Sequence, residues 1–174
     1  MRAVRLFALG LLALVMLTWA VGALLPRAHV ASRAARFAQP PEAVWQVVSD
    51  LSGFATWAPK VTGVTRLADQ NGHPVWAMLG ESELPLELEE LRTYRMVTRI
   101  ANPRLPFGGT WTWEIADAGS GCTVTITERG EIKSAFFRAL ARFVFGHTSN
   151  LDAYLEALGK HFGEDVTPVD ATGA

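Results

Sequence analysis

The chain has 174 residues, with 16 lysines and arginines against 17 aspartates and glutamates, a net charge of −1 and a single cysteine. Near-neutral charge without a long basic run leaves no electrostatic footprint for a nucleic-acid partner, and one cysteine (Cys122) excludes an internal disulfide. The histidines His29, His73, His147 and His161 are scattered and no cysteine pair offers a zinc site, so neither a metal nor another cofactor is expected.

In chain order, residues 6–25 (LFALGLLALVMLTWAVGALL) carry no charge and end at Pro26-Arg27. At about 1.5 Å of rise per residue the run is roughly 30 Å long, the thickness of a bilayer's hydrocarbon core. Arg2 and Arg5 ahead of it also suit a secretory signal, but the apolar region of a signal is shorter, about 7–15 residues. Residues 1–26 are therefore read as an uncleaved, single-pass transmembrane anchor. Arginines stand on both flanks, with Arg27, Arg33 and Arg36 beyond the run, so the positive-inside rule barely separates the orientations. The short basic head resembles an export signal, which places the folded part on the extracytoplasmic (periplasmic) side of the membrane. All 17 acidic residues lie beyond the run, and residues 27–163 suit one mildly acidic domain with one core.

Residues 29–38 read as a first strand. Pro40-Pro41-Glu42 opens a helix, since proline is tolerated in a first turn and a carboxylate there suits the helix dipole. Val44, Trp45, Val47, Val48 and Leu51 give it an apolar face until Gly53 stops it, and Phe54, Trp57 and Val61 mark a second short helical turn closed by Pro59. From residue 62 the apolar period changes to two. Residues 62–68 and 74–82 flank Asn71-Gly72, a hairpin signal. Leu84, Leu86 and Leu88 alternate with polar neighbours, as do Tyr94, Met96, Thr98 and Ile100, then Trp111, Trp113 and Ile115, then Cys122, Val124, Ile126 and Glu128. Residues 134–162 return to three-and-four spacing through Phe136, Leu140, Val144, Leu151, Leu155, Leu158 and Phe162. They are read as one long amphipathic helix whose apolar face must cover the strands. Residues 164–174 have no pattern and are read as a disordered tail.

This β-α-α-β6-α order resembles the helix-grip fold of the START and polyketide-cyclase-like (SRPBCC) superfamily. That is an α+β fold in which a curved antiparallel sheet, here of about seven strands, wraps a long C-terminal helix, with two short helices after the first strand. The resemblance is carried by Pro40-Pro41-Glu42-Ala43-Val44-Trp45 with Asp50, Trp57 and Pro59, by residues 105–113 (LPFGGTWTW) and 125–131 (TITERGE), and by Phe145-Gly146-His147-Thr148 with Leu151, Tyr154 and Leu155. It spans roughly residues 29–162. It implies a cavity between helix and sheet that holds lipids, sterols, quinones or polyketides, with a minority of members catalysing cyclisation, dehydration or hydrolysis there. The fold does not choose among these.

The aromatic residues Trp57, Trp76, Tyr94, Trp111 and Trp113, with Phe137 and Phe143 on the helix, suit a wall for a flat or greasy guest. Leu86, Leu88, Met96 and Thr98 on the strands, and Leu140, Val144 and Leu151 on the helix, complete the expected lining. Glu128 and His147 are the candidate acid–base pair. Glu128 lies six residues before Ser134, roughly 20 Å of strand. His147 lies thirteen residues after it, also roughly 20 Å of helix, so a helix running back along the strand brings both to similar depth. The plainer alternative is a satisfied buried histidine and a glutamate tied to an arginine. Lys133, Arg138 and Arg142 read as a solvated face, with anionic headgroups as the less favoured partner.

The leading expectation is membrane-tethered, non-enzymatic binding of an apolar small molecule or lipid. The alternative is a cyclase, dehydratase or hydrolase-type enzyme using Glu128 and His147, and a third is a protein–protein module whose cavity is filled by its own tryptophans. No G-x-S-x-G elbow, P-loop or G-x-G-x-x-G turn occurs.

Overall fold

The computed structural model describes residues 2–146 and 148–173. Helix α1 (Arg2–Leu24) is the apolar N-terminal helix, and the linker after it leads into β1 (Ala28–Phe37). Pro41 in the first turn and Glu42 beside it open α2 (Pro41–Ser49), which buries Val44 and Val48. Asp50 then caps a 3-10 turn (Leu51–Thr56) by accepting from the Ser52 amide.

Strands β2 (Gly63–Gln70), β3 (His73–Leu79), β4 (Leu84–Arg92), β5 (Arg95–Ile100), β6 (Phe107–Asp117) and β7 (Cys122–Ile132) follow one another as an antiparallel meander. β1 pairs with β7, and β8 (Val169–Asp170) pairs with β1, giving the order β2-β3-β4-β5-β6-β7-β1-β8. The α+β helix-grip class is thus the one expected, with one strand more. Asn71 and Gly72 have φ of 53° and 82°, the two left-handed residues that a type I′ hairpin turn requires. Register shifts between Leu67 and Gln70 and between Leu88 and Glu90 bend β2 and β4.

The added strand comes from the segment expected to be a disordered tail. Val169 pairs with Ala34 and Asp170 with Arg33, and the Ala171 amide donates to the Ser32 carbonyl at 3.1 Å. Pairing along a sheet edge uses backbone groups and needs no apolar pattern, so alternation does not reveal it.

The C-terminal helical region also departs from expectation. It is not one helix over 134–162 but α3 (Ala135–Leu140), a π-helical turn (Ala141–Phe145) and α4 (Ser149–His161). Gly146, between them, has φ 73° and ψ 171°, a region open essentially to glycine alone. The two pieces then bury their apolar sides against different partners. α4 lies on β1 and β7, with Leu151, Leu155 and Leu158 each 0% exposed. α3 packs on α1, where a Cβ at Gly22 would stand 1.7 Å from the Ala135 carbonyl oxygen. Only glycine permits that approach. Arg33 ties α4 to the sheet through Asp152 at 2.5 Å.

Cys122 sits in the core with Phe37, Val44, Val124 and Ile126. Burial pushes its thiol up to about 11, from an ordinary value near 9. The folded state therefore holds this proton more tightly than the unfolded chain. That contribution to stability is complete below pH 9 and is lost as the pH climbs towards 11. At pH 8 the native thiol is expected to resist iodoacetamide and to react at an ordinary rate only in urea, read as the alkylated mass fraction. Equal rates in buffer and urea would contradict this burial.

Candidate functional site

Side chains directly opposite each other on neighbouring strands share one face of a sheet. Trp76 faces Leu86, and Leu86 faces Ile100. Leu88 faces Thr98, Thr98 faces Trp111, Trp111 faces Glu128, and Glu128 faces Ala31. This inner face is the one α4 covers, because the rings of Trp111 and Tyr154 meet edge to face with centroids 5.1 Å apart.

Under α4 the space is filled. Trp57 presents its ring to Phe54, Trp113 and Tyr154 at 4.8, 6.1 and 6.1 Å. Trp113, Met96 and Leu151 are buried among them. These four expected lining residues (Trp57, Met96, Trp113 and Leu151) are core. The indole Nε1 of Trp57 is buried without a hydrogen-bond partner among the described residues, which the surrounding ring faces only partly compensate. A hollow of about 290 Å³ opens beside this cluster between the 3-10 turn and α4, bounded by Thr56, Trp57, Ala157, Lys160 and His161.

Farther along the inner face the cover thins. Trp76, Leu86, Leu88 and Trp111 pack against the core yet stay only half-buried, while Thr98 between them is buried. The Arg66 guanidinium lies 5.4 Å from the centre of the Trp76 ring, a cation–π contact. These five residues, four apolar and one bearing a hydroxyl, form a half-covered strip or trough on the inner face. Tyr154 borders it through Trp111, and burial raises its phenol pKa, so the hydroxyl stays protonated at neutral pH.

At the Trp111 end of the trough stands Glu128. Its Oε1 lies 3.1 Å from His29 Nε2, and its Oε2 accepts from Trp111 Nε1 at 3.0 Å. The side chains of His29 and Glu128 keep 16% and 21% of their surface exposed, so a small molecule can reach them. Gly130, opposite His29 in register, makes the contact possible: a Cβ there would stand 2.2 Å from His29 Cε1. His147, the expected partner, lies outside the described residues, as does the side chain of Val144. Among the described residues, an imidazole that touches Glu128 comes from β1, 99 residues away. A carboxylate holding an imidazole in an apolar setting can store or pass a proton, and it can orient a ligand hydroxyl or carbonyl equally well. Among the described residues no group of three His, Cys, Asp or Glu side chains could hold a metal.

Other expected lining residues fall elsewhere. Tyr94 is in the β4–β5 turn with φ 62°, its ring set edge-on to Trp45 at 6.3 Å and its hydroxyl donating to Glu42. That bond holds the Glu42 carboxyl below its usual range and raises the phenol. Tyr94 thus fastens α2 to the sheet and does not line the trough. Phe137 is 50% exposed and Leu140 half-buried, both on α3 away from the sheet. The expected solvated face is also divided. Lys133 Nζ donates to the carbonyls of Pro103 and Leu105 at 2.6 and 3.2 Å, and Arg138 is buried at 7% exposure.

The sequence profile of the Polyketide cyclase / dehydrase and lipid transport family matches residues 28–163. No curated protein matches the chain. Among solved structures, the solution structure of a protein from Thermobifida fusca is 24% identical, with a TM-score of 0.62 over 77% of this chain and 93% of that one. An aromatase/cyclase from a Streptomyces species is 15% identical, with a TM-score of 0.63 over 77% and 93%. A START superfamily protein from Mycobacterium smegmatis is 18% identical, with a TM-score of 0.58 over 77% and 99%. At these identities the likeness concerns the fold alone.

Glu128→Ala would leave the half-buried N–H of Trp111 and the ring of His29 without their shared acceptor. An unfolding free energy lower by about 1–3 kcal/mol is expected in urea titration, with Glu128→Gln milder because its amide oxygen still accepts. Equal losses for both variants would contradict an acceptor role.

Proposed function

Because the chain belongs to the Polyketide cyclase / dehydrase and lipid transport family, we propose that it is a membrane-tethered, non-enzymatic domain that binds an apolar small molecule or lipid along the inner face of its sheet. The observation that carries this reading is the half-covered apolar strip of Trp76, Leu86, Leu88 and Trp111 around buried Thr98, which we read as an open trough. An apolar wall with few polar groups takes its affinity from area and its orientation from those few. Here they are the Glu128–His29 pair and the Tyr154 hydroxyl.

The tether is α1. Its residues Arg5–Leu24 are long and apolar enough to cross a membrane, with little of that stretch buried by the rest of the chain. In this reading the domain stands on the periplasmic side, with its trough near the bilayer from which an oily guest partitions. A second reading, catalysis of the cyclase or dehydratase type, is favoured by the His29–Glu128 contact on an otherwise apolar face. Glu128 with His147 is the acid–base pair of that second reading.

The test is saturable binding of the neutral probe 1-N-phenylnaphthylamine to the detergent-solubilised full-length protein, with native mass spectrometry for co-purified guests. One-to-one binding is expected, weakened about tenfold or more by Leu88→Arg, since the trough would have to desolvate a charge. Binding that is absent, or the same in Leu88→Arg, would remove the proposal. Turnover of a bound guest that stops in Glu128→Gln, with binding intact, would favour the enzyme.

A further inference from the structure

Where α1 meets the domain, a second hollow of about 230 Å³ is lined by the apolar Leu25, Pro26, Ala28 and Ile132, by Arg27, Arg138 and Arg142, and by His29. Arg138 is 7% exposed. Its Nε donates to the Gly22 carbonyl at 2.8 Å, and its Nη1 to the carbonyls of Ile132 and Lys133 at 3.1 and 2.9 Å. The third nitrogen, Nη2, has no acceptor among the described residues. Nor does any carboxylate among them lie within ion-pair distance of Arg27, Arg138 or Arg142. Of the nearby acids, Glu128 is engaged by His29 and Trp111, and Glu131, opposite Ala28 in register, makes no ion pair with these arginines among the described residues.

The charge is segregated in the sequence too. No aspartate or glutamate occurs before Glu42 or between Glu131 and Asp152. Those two stretches are the ones that build this junction. A buried guanidinium bonded only to neutral carbonyls retains its full charge, and in a low-dielectric setting that charge seeks a counter-ion. The surroundings say where that ion comes from. Phe137 and Phe143, 50% and 68% exposed, project from α3 and the π-turn beside the end of the apolar helix, as aromatic residues do at a membrane–water boundary.

We propose that this hollow is a phosphate site, filled by the headgroup of an anionic membrane lipid, with Arg138 Nη2 as the inner donor and Arg27 and Arg142 as the outer ones. The lipid's glyceride region would lie on Leu25, Pro26 and Ile132. It is a different site from the trough, though His29 borders both, and beyond that residue it shares with the reading above only the embedding of α1 in a bilayer. Bound there, the lipid would fix the angle at which the domain leaves the membrane, because Arg138 already links the end of α1 to the β7–α3 connection.

The test is native mass spectrometry of the full-length protein released from nanodiscs holding equal parts of phosphatidylglycerol and phosphatidylcholine. Phosphatidylglycerol is expected to be retained preferentially. The preference should fall about fivefold for each of Arg27→Gln and Arg142→Gln, the value of one cation near an anionic surface. Both residues are exposed, so these variants are expected to fold; Arg138→Lys, which keeps charge but loses the fork, should lower retention further. Arg36→Gln, an exposed cation away from the hollow, should change nothing. Retention that is equal for the two lipids, or that falls as much in Arg36→Gln, overturns the site. Displacement of the lipid by millimolar inorganic phosphate overturns the lipid assignment in favour of a soluble phosphate. A chain that does not enter nanodiscs at all overturns the tether, and this site with it, while leaving probe binding in the trough to stand or fall separately.

Discussion

The bend at Gly146 is the constraint on which the rest of the structure depends. Residues on either side of it form amphipathic helix, and a straight helix would have to present both stripes to the same surface. With φ 73° and ψ 171° the backbone turns away instead. The second half then buries Leu151, Leu155 and Leu158 on the sheet, each side chain contributing about 1.5–3 kcal/mol by transfer from water. The first half is released to meet α1. There the packing rests on small residues, Gly22 against Ala135 and Ala139, and on a guanidinium at the carbonyl end of a helix, where the dipole favours positive charge.

Much of this was legible because it is local. The period-two runs, the Asn71-Gly72 turn and the proline-led start of α2 each depend on a few neighbouring residues, and each was readable. The bend was harder. The run Gly146-His147-Thr148-Ser149 holds a stop signal followed by helix-starting hydroxyls, but the apolar spacing continues across it in phase and masks the interruption. Tyr94 was misplaced for a related reason: it sits at the right interval from Met96 to continue the strand, while its φ of 62° puts it in the turn. His29 was out of reach altogether. Its meeting with Glu128 depends on the β1–β7 register, and no local pattern encodes the pairing of strands 99 residues apart.

The inner and outer faces of the sheet treat charge differently. Outside, Arg99 pairs with Glu89, and Arg95 bridges Glu90 and Glu114. These exposed pairs contribute little to stability, but they keep that face wet. Inside, polar groups are few, and Glu128 meets its donors one to each oxygen. Glu87 stands apart from both arrangements. It is 4% exposed, and its described partner is the Asn71 amide at a long 3.4 Å. Arg99, directly opposite it in register, supplies an opposite charge.

The last strand has a consequence beyond its two residues. Without β8, β1 would border the sheet as a row of unsatisfied amides and carbonyls, open to pairing with any extended peptide. Residues 168–172 cover the middle of that row: Val169 and Asp170 pair with Ala34 and Arg33, Thr172 Oγ1 accepts from the Ser32 amide, and the Pro168 carbonyl accepts from Arg33. A shortened version stopping at the end of α4 would lose Phe162 and Val166 from the packing around the core, and its newly bared margin would recruit copies of itself.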